Sequence, residues 1–285
     1  MPFIKKFKKD FYVKDNRIYL SDNYLNNNRN NFKKITGSRF CNILGLSKFN
    51  SPVQTWASMV NIYKDEMDPI LSKIGNFVEP KVRDYVSQKL NVKFISYDPF
   101  KINWDKFPEN PIFGGIPDGE PIDENGNLLY PDYPMLEIKT TSIDRLAYKK
   151  IDGTMKLLLD EKGYPIVKKT FGKREEWFEN NKIVIKNEYK MQLALYLYLR
   201  QIQKGLFAIC FLETKDYTEP NNFDINKHEI RLVEMNLDPK KMVPFIETGI
   251  KWYENHIYTG CSPELSNQDI EWLIEYFPND RQFIS

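Results

Sequence analysis

The sequence predicts an α/β (α+β) fold, a central mixed sheet flanked by helices, and three features of the chain point to it. Segments with helical spacing, such as IGNFVEPKVRDYVSQKL, are followed by apolar runs too short to be helices, such as LFAICFL. Glycine, proline and asparagine turns separate these segments. Finally, 285 residues with 41% hydrophobic and 28% charged side chains can bury a sizeable core and still present a globular surface. No repeat and no Gly-, Ser- or Pro-rich linker divides the chain, so it reads as one domain, 1–285, with helices packed on a sheet.

The N-terminal segment, 1–34, reads as a basic arm. Residues 1–40 hold ten Lys/Arg against three Asp, so the rest of a chain of net charge +2 is acidic. Such an arm, interspersed with Phe and Tyr, suits a polyanion as well as it suits a solvated surface. SPVQTW opens a helix with Ser51 as N-cap, Pro52 at N1 and Gln54 completing a capping box. Val78, Val82, Tyr85, Val86 and Leu90 then recur at helical spacing. NEYKMQLALYLYLRQIQKG reads as a helix ended by Gly205, and LFAICFLETK as the strand after it. Residues 151–187 form an inserted flap or hairpin with turn signals at Asp152–Gly153 and Lys162–Gly163. From Pro239 the chain reads as helical.

Composition excludes several classes. No apolar run approaches the length of a membrane span, and MPFIKKFKKDFY lacks the apolar core of a signal peptide, so a cytoplasmic protein with no membrane partner is expected. Cys41, Cys210 and Cys261 are too few and too scattered for a disulfide framework, a zinc knuckle or an iron–sulfur cluster. His228 and His256 form no recognisable arrangement, and no phosphate-binding G-x-x-x-x-G-K-[ST] occurs.

The chemistry-bearing stretch runs from Gly114 to Ser142. Asp118 lies in a glycine-proline turn, and PMLEIKT reads as a strand in which Leu136 and Ile138 face one way, Glu137 and Lys139 the other. The chain has four E-x-K triplets, at Glu79, Glu137, Glu188 and Glu213. The Glu137 copy alone follows a turn-held aspartate; the Glu213 copy, which also ends an apolar strand, is its competitor. Two clustered carboxylates are costly to desolvate without a cation. A hard divalent ion such as Mg²⁺ or Mn²⁺ relieves this, and can polarise a phosphoryl oxygen and activate a water. The bland alternative is a surface salt bridge between Glu137 and Lys139. Glu79 shares a helical stripe with Val82, Val86 and Leu90; a metal explains that placement, and so does an N-cap on a helix starting at Pro80.

Asp118 followed by Glu137-Ile138-Lys139 resembles the signature of the PD-(D/E)xK nucleases, whose core is restriction-endonuclease-like. More narrowly, the chain resembles the YqaJ-type viral recombinases, the family of phage lambda exonuclease. ITGSRFCNILGLSKFNSPVQTW, GNFVEPKVRDYV, GGIPDGE with LEIKTT, and EYKMQLALYLYL carry the resemblance, in the family's order, over roughly Ile35 to Leu212. Two departures stand out. ENGNLLYPDYP lengthens the step from Asp118 to Glu137, as an inserted hairpin would, and the family's second glutamine is replaced by Ala194.

The resemblance implies a Mg²⁺- or Mn²⁺-dependent nuclease, a 5′→3′ exonuclease acting on double-stranded DNA ends in recombination. Its alternatives are an endonuclease of restriction or repair type and an inactive DNA-binding module. Asp118, Glu137 and the carbonyl of Ile138 would bind metal, with Glu79 as a further ligand directly or through water. Lys139 would handle the nucleophilic water, and Gln192 would position it or a phosphate. In KKITGSRF, Ser38 would help hold a terminal 5′-phosphate, with Thr36, Arg39 and either Lys33 or Lys34, the family's upstream arginine having no match. Apart from the resemblance, the flap's length and turn signals suggest that it lies beside the active site and contributes Lys168, Lys169, Lys173 or Arg174 to the DNA backbone. A single-strand annealing protein and further copies of the chain are the partners the family brings.

Overall fold

The alternation of apolar and helical segments is realised in a computed structural model that describes residues 2–47, 50–64, 67–151 and 154–284. The first elements are β1 (Phe11–Lys14), β2 (Arg17–Leu20), α1 (Asp22–Asn28), α2 (Gly37–Ile43) and α3 (Pro52–Met59). There follow α4 (Pro69–Leu90), β3 (Lys93–Ile95), β4 (Glu120–Ile122) and β5 (Met135–Ser142). Short strands come next: β6 (Arg145–Leu146), β7 (Tyr148–Ile151), β8 (Thr154–Leu157), β9 (Val167–Lys169), β10 (Phe178–Glu179) and β11 (Lys182–Ile183). The chain continues through α5 (Asn187–Arg200), β12 (Lys204–Leu212), α6 (Thr214–Thr218), β13 (Ile230–Asn236), α7 (Val243–Trp252) and α8 (Asn267–Tyr276). Among the described residues, no helix is long and apolar enough to cross a membrane. Cys41, Cys210 and Cys261 are free thiols.

These elements form two compact units. The first comprises Met1–Asp65, Phe107–Gly115 and Met242–Ser285; the second comprises Glu66–Lys106 and Ile116–Lys241.

In the first unit the basic segment is folded. β1 and β2 pair antiparallel around Asp15 and Asn16, both at positive φ, as a two-residue hairpin turn requires. The aromatics between its lysines turn inward: Phe3 and Phe11 are buried and pack with Phe277, and Phe3 also meets Tyr63 and Trp272. The capping box at Ser51 and Gln54 forms as the sequence dictates. Ser51 also donates to Asp269 Oδ1 at 2.5 Å, and Ser266 donates to Oδ2 of the same carboxylate at 2.6 Å, so one acid ties the start of α3 to the start of α8.

In the second unit, β13, β12 and β5 form a mixed sheet, with β5 parallel to β12 and β13 antiparallel to it. α4 covers one face: Ile74, Val78, Val82 and Val86 pack on Leu136, Ile138, Leu206, Ala208 and Cys210. α5 lies over the other, where Leu193 and Leu197 approach Gly205. The mixed sheet flanked by helices is therefore present.

One open alternative is excluded and one expectation is overturned. Glu79 is no N-cap: α4 starts at Pro69, capped by Asp68, and Pro80 sits inside the helix. The hydrogen bond lost at Pro80 is offset by the long apolar stripe buried on either side of it. Nor does Gly205 end α5. Gln201, at φ +55, closes that helix, and Gly205 is a strand residue whose absent side chain leaves room for Leu193. ENGNLLYPDYP does turn back on itself: Asp123 accepts from the backbone N–H of Asn125 and Asn127, and Ile122 bridges Leu128.

The flap is a set of short paired strands, β7 with β8, β6 with β9, and β10 with β11. Its turn at Asp152–Gly153 lies outside the described residues. At Lys162–Gly163, Asp160 Oδ1 accepts from the N–H of Lys162 and Tyr164. Asp68, besides capping α4, accepts from the N–H of Leu157 at 2.7 Å, which fastens β8 to the helix. Most of the cations expected to meet DNA are spent internally. Lys169 pairs with Glu175 and Lys173 with Glu176, and Arg174 makes a two-pronged bond to Glu229 at 2.6 and 2.9 Å.

Gly205 and Gln201 give opposite expectations. A Cβ at 205 would lie 2.7 Å from Leu193 Cδ2, so Gly205→Ala should destabilise by about 1–3 kcal/mol through overpacking. Gln201→Gly relieves a left-handed backbone and should be neutral or mildly stabilising. Urea unfolding of both variants checks this; a neutral Gly205→Ala would remove the packing explanation.

Candidate active site

The alternation of β5 brings charge into the unit's interior. Leu136 and Ile138 fill the core beneath α4, so Glu137 and Lys139 must take the other face, where their partners on β12 are Phe207 and Ile209. Glu137 is 1% exposed. Lys139 Nζ donates to Glu137 Oε1 at 2.6 Å and to Gln192 Oε1 of α5 at 3.2 Å. Its ammonium also lies 5.0 Å from the ring centroid of Tyr189, one turn earlier on that helix.

Asp118 occupies a bend directly before β4. Gly119 bridges Leu136, and a Cβ at 119 would come within 3.3 Å of both Leu136 and Phe94, so glycine permits this close approach to β5. Asp118 Oδ2 then accepts from the N–H of Ile138 at 2.7 Å. Glu79 projects from α4 and is bonded by Arg83, one turn on. The buried Arg83 guanidinium also donates to the carbonyl of Asp118 at 2.8 Å, joining helix and bend. Asp118, Glu137, Lys139, Glu79 and Gln192 are thus one constellation.

Its electrostatics are unbalanced. Burial, reinforced by the neighbouring Asp118, pushes Glu137 up to about 8 against the pull of Lys139. Burial also raises Asp118, opposed by Lys139, the Ile138 N–H and Arg83. Glu79 is raised by burial and by Asp118, and Arg83 opposes this. Burial would lower Lys139, but Glu137 and Asp118 outweigh it and hold the ammonium above its usual value.

Glu137 Oε2 is buried with no hydrogen-bond partner. A buried, unpartnered carboxylate oxygen beside a second carboxylate is what a divalent cation would satisfy, so the donor set fits Mg²⁺ or Mn²⁺. Asp118 and Glu137 are the two direct candidates. Among the described residues no group of three Asp, Glu, His or Cys is arranged to hold an ion, and Glu79 is held by Arg83. Ile138 is seen here through its N–H.

The other triplets do not repeat this pairing. Glu213 caps α6, and its pair with Lys215 is well exposed, with 42% and 57% of the two side chains accessible. Glu188 and Lys190 lie on α5, and Lys81 donates to the carbonyl of Phe223.

KKITGSRF belongs to the first unit. Thr36 stands at the N-cap position of α2, but its hydroxyl makes no cap bond and instead lies 3.5 Å from the exposed Ser38 Oγ. Lys33 is lowered by burial and by the nearby Arg39 and Lys64, the mark of a cluster of like charge. Lys34 is committed, with Nζ donating to the carbonyl of Phe107 at 3.1 Å, and Arg39 donates to the carbonyl of Lys34 at 2.8 Å. Of the two lysines offered for a phosphate, Lys34 is the one whose ammonium is bonded to backbone carbonyls.

Arg83 and Tyr189 belong to the constellation and were not singled out from the sequence. Their spacings carried the signal, four residues after Glu79 and three before Gln192, since such residues share a helix face.

A family profile described as the YqaJ-like viral recombinase domain matches residues 26–203. The chain is 53% identical to the uncharacterized protein MG373 of Mycoplasma genitalium over 277 residues, which is 96% of this chain and 99% of that one. Its homolog in Mycoplasma pneumoniae is 52% identical with the same coverage. Among solved structures, the alkaline exonuclease of Laribacter hongkongensis aligns with a TM-score of 0.45 at 13% identity, over 93% of this chain and all of that one. A phage-related exonuclease from Haemophilus somnus 129PT aligns with a TM-score of 0.46 at 12% identity, over 87% and 99% of the two chains.

The raised carboxylate predicts a pH dependence of stability in the metal-free protein. Folded Glu137 holds its proton more tightly than an unfolded glutamate, whose pKa is about 4.3, so its contribution is fully present below that pH and is lost as the pH rises through about 8. In chelator, wild type should melt progressively below Glu137→Gln between pH 5 and 9 (about four units that bracket the shift), and Mn²⁺ should restore wild type alone. A melting difference independent of pH would mean that Glu137 does not titrate in this range.

Proposed function

Because the chain belongs to the YqaJ-like viral recombinase domain family, we propose that it is a divalent-metal-dependent deoxyribonuclease, an exonuclease that degrades duplex DNA from its 5′ ends. The observation that carries this reading is the buried Glu137, with one carboxylate oxygen on Lys139 and the other unpartnered beside Asp118. A surface salt bridge would be solvated on both sides, and this pair is not.

Asp118 and Glu137, with the carbonyl of Ile138, would hold the ion, and Glu79 would take part through a water. A bound Mg²⁺ or Mn²⁺ would supply positive charge to a phosphoryl oxygen and lower the pKa of its water. The chain's own groups do the rest. Lys139, kept protonated by the carboxylates around it, places N–H donors where charge develops on the attacked phosphate and orients the water. Gln192 accepts one of those N–H bonds, so the ammonium points in one direction. The N–H of Ile138 fixes the rotamer of Asp118, and Arg83 anchors the bend that carries it.

End recognition is assigned to Thr36, Ser38, Lys33 and Arg39. A terminal 5′-phosphate carries more charge than an internal diester, and two hydroxyls beside clustered cations suit it. Lys33 would act as a point charge without a guanidinium's fork. The flap's contribution to backbone binding rests on Lys168, since its neighbours are paired within the chain.

End-labelled linear duplex should be digested from its ends only with Mg²⁺ or Mn²⁺, and covalently closed circles should survive. Asp118→Ala and Glu137→Ala should abolish hydrolysis, and Lys139→Ala should cost about 10²–10³-fold in kcat, as loss of a transition-state donor does. Ser38→Ala should reduce the preference for a 5′-phosphate over a 5′-hydroxyl. Cleavage of closed circles would point to the endonuclease reading, and activity surviving in Glu137→Ala would overturn the site.

A further inference from the structure

Two residues after Asp118, Glu120 is also buried, at 0% exposure, yet all its bonds are made. Arg200 Nε and Nη2 donate to Oε1 and Oε2 at 2.7 and 2.8 Å, a bidentate pair. Tyr97 donates to Oε2 at 2.6 Å and Tyr130 to Oε1 at 3.2 Å. Burial and the adjacent carboxylate push both phenols above their ordinary value, so they stay protonated as donors.

The four residues come from four places. Glu120 begins β4, immediately after the bend that holds Asp118. Arg200 is the last residue of α5, two turns beyond Gln192 on the same helix. Tyr97 follows β3, the pairing partner of β4. Tyr130 belongs to the segment ENGNLLYPDYP, which lengthens the connection from Asp118 to Glu137.

We infer that Glu120, Arg200, Tyr97 and Tyr130 form a positioning clamp that sets the strand carrying Asp118 against the helix carrying Gln192, and that the inserted segment serves the active site by closing this clamp. A flexible or solvated tie would leave α5 free to slide along its axis. A two-pronged guanidinium–carboxylate bond, with each oxygen also held by a phenol, fixes both distance and rotation. The end of α5 is thereby pinned, and with it the 3.2 Å contact between Gln192 and Lys139. None of the four touches Lys139, Glu137 or Gln192 in the contacts above; they act through the elements that carry those groups. This inference rests on the proposed nuclease site, and metal affinity provides a readout independent of cleavage.

A single substitution within the ion pair cannot separate positioning from stability, because Arg200→Met alone strands a buried carboxylate. The double variant Glu120→Leu/Arg200→Met can, since a buried ion pair replaced by apolar side chains of similar size often keeps its stability. It should melt within a few degrees of wild type, bind Mn²⁺ severalfold more weakly by calorimetry, and turn over linear duplex about tenfold more slowly at unchanged KM, a loss of the size expected when a reacting group is misplaced. Tyr130→Phe, which keeps the ion pair and removes one donor, should show a smaller change in the same direction. If the double variant folds, binds Mn²⁺ as wild type does and cleaves at the same rate, the clamp is structural only. If it fails to fold, Tyr130→Phe decides by the same two readouts. Should wild type bind Mn²⁺ without cleaving DNA, the nuclease reading falls, and the Mn²⁺ comparison still tests the clamp.

Discussion

The burial of Glu137 is the constraint on which the rest of the site depends. A carboxylate facing Phe207 across the sheet loses its hydration, and Lys139 returns a hydrogen bond to only one of its oxygens. Three carboxylates, Glu79, Asp118 and Glu137, share the neighbourhood with two cations, Lys139 and Arg83. Coulomb attraction to the lysine does not outweigh desolvation plus repulsion, which is why Glu137 is displaced upward and not downward. Such an arrangement persists only where packing over-determines it. Here the α4 core, the parallel register of β5 on β12 and the Gly119–Leu136 bridge supply that packing.

Glu120 provides an internal control. Both glutamates are almost fully buried, both lie on strands of the same unit, and both meet a basic side chain. Glu120 accepts four bonds from three residues, and each oxygen is saturated. Glu137 accepts one, and an oxygen is left over. A fold that can satisfy one buried acid so completely is not short of donors. The deficit at Glu137 is therefore local, at the position where an exogenous cation is chemically useful.

How much of this the sequence disclosed depends on the range of the interaction concerned. The E-x-K face of β5 was legible because a strand has a period of two, and the capping box at Ser51 because its partners are three residues apart. The preference for Glu137 over Glu213 rested on the turn-held Asp118, and the packed sheet adds the difference in burial that the sequence does not carry. For Glu79 a metal and an N-cap stayed open alternatives because Pro80 reads as a helix start; the buried Ile74, Val78, Val82 and Val86 carry α4 through it and exclude the cap. Gly205 was read as a stop for the same local reason, when its role is to admit Leu193. Arg174 looked available because Glu229, which occupies it, is 55 residues away. No linker could announce the two units, since one of them is assembled from three separate segments of chain.

That discontinuity connects the two halves of the proposed chemistry along the chain itself. The stretch proposed to read a DNA end does not stand alone in its unit. The N–H of Ile35 donates to the carbonyl of Ile112 at 2.8 Å, the N–H of Gly114 donates back to the carbonyl of Ile35 at 3.0 Å, and Lys34 holds the carbonyl of Phe107. The segment 107–115 that receives these bonds runs on through Ile116 and Pro117 into Asp118. The chain between Lys33 and Thr36, which would sense a terminal phosphate, is thus hydrogen-bonded within its own unit to backbone only a few peptides upstream of a proposed metal ligand. Glycine at 114, 115 and 119 frames that passage, and Gly115 takes φ +126, which a side chain would disfavour. A substitution at Gly115 would strain the backbone only three residues before the proposed metal ligand Asp118.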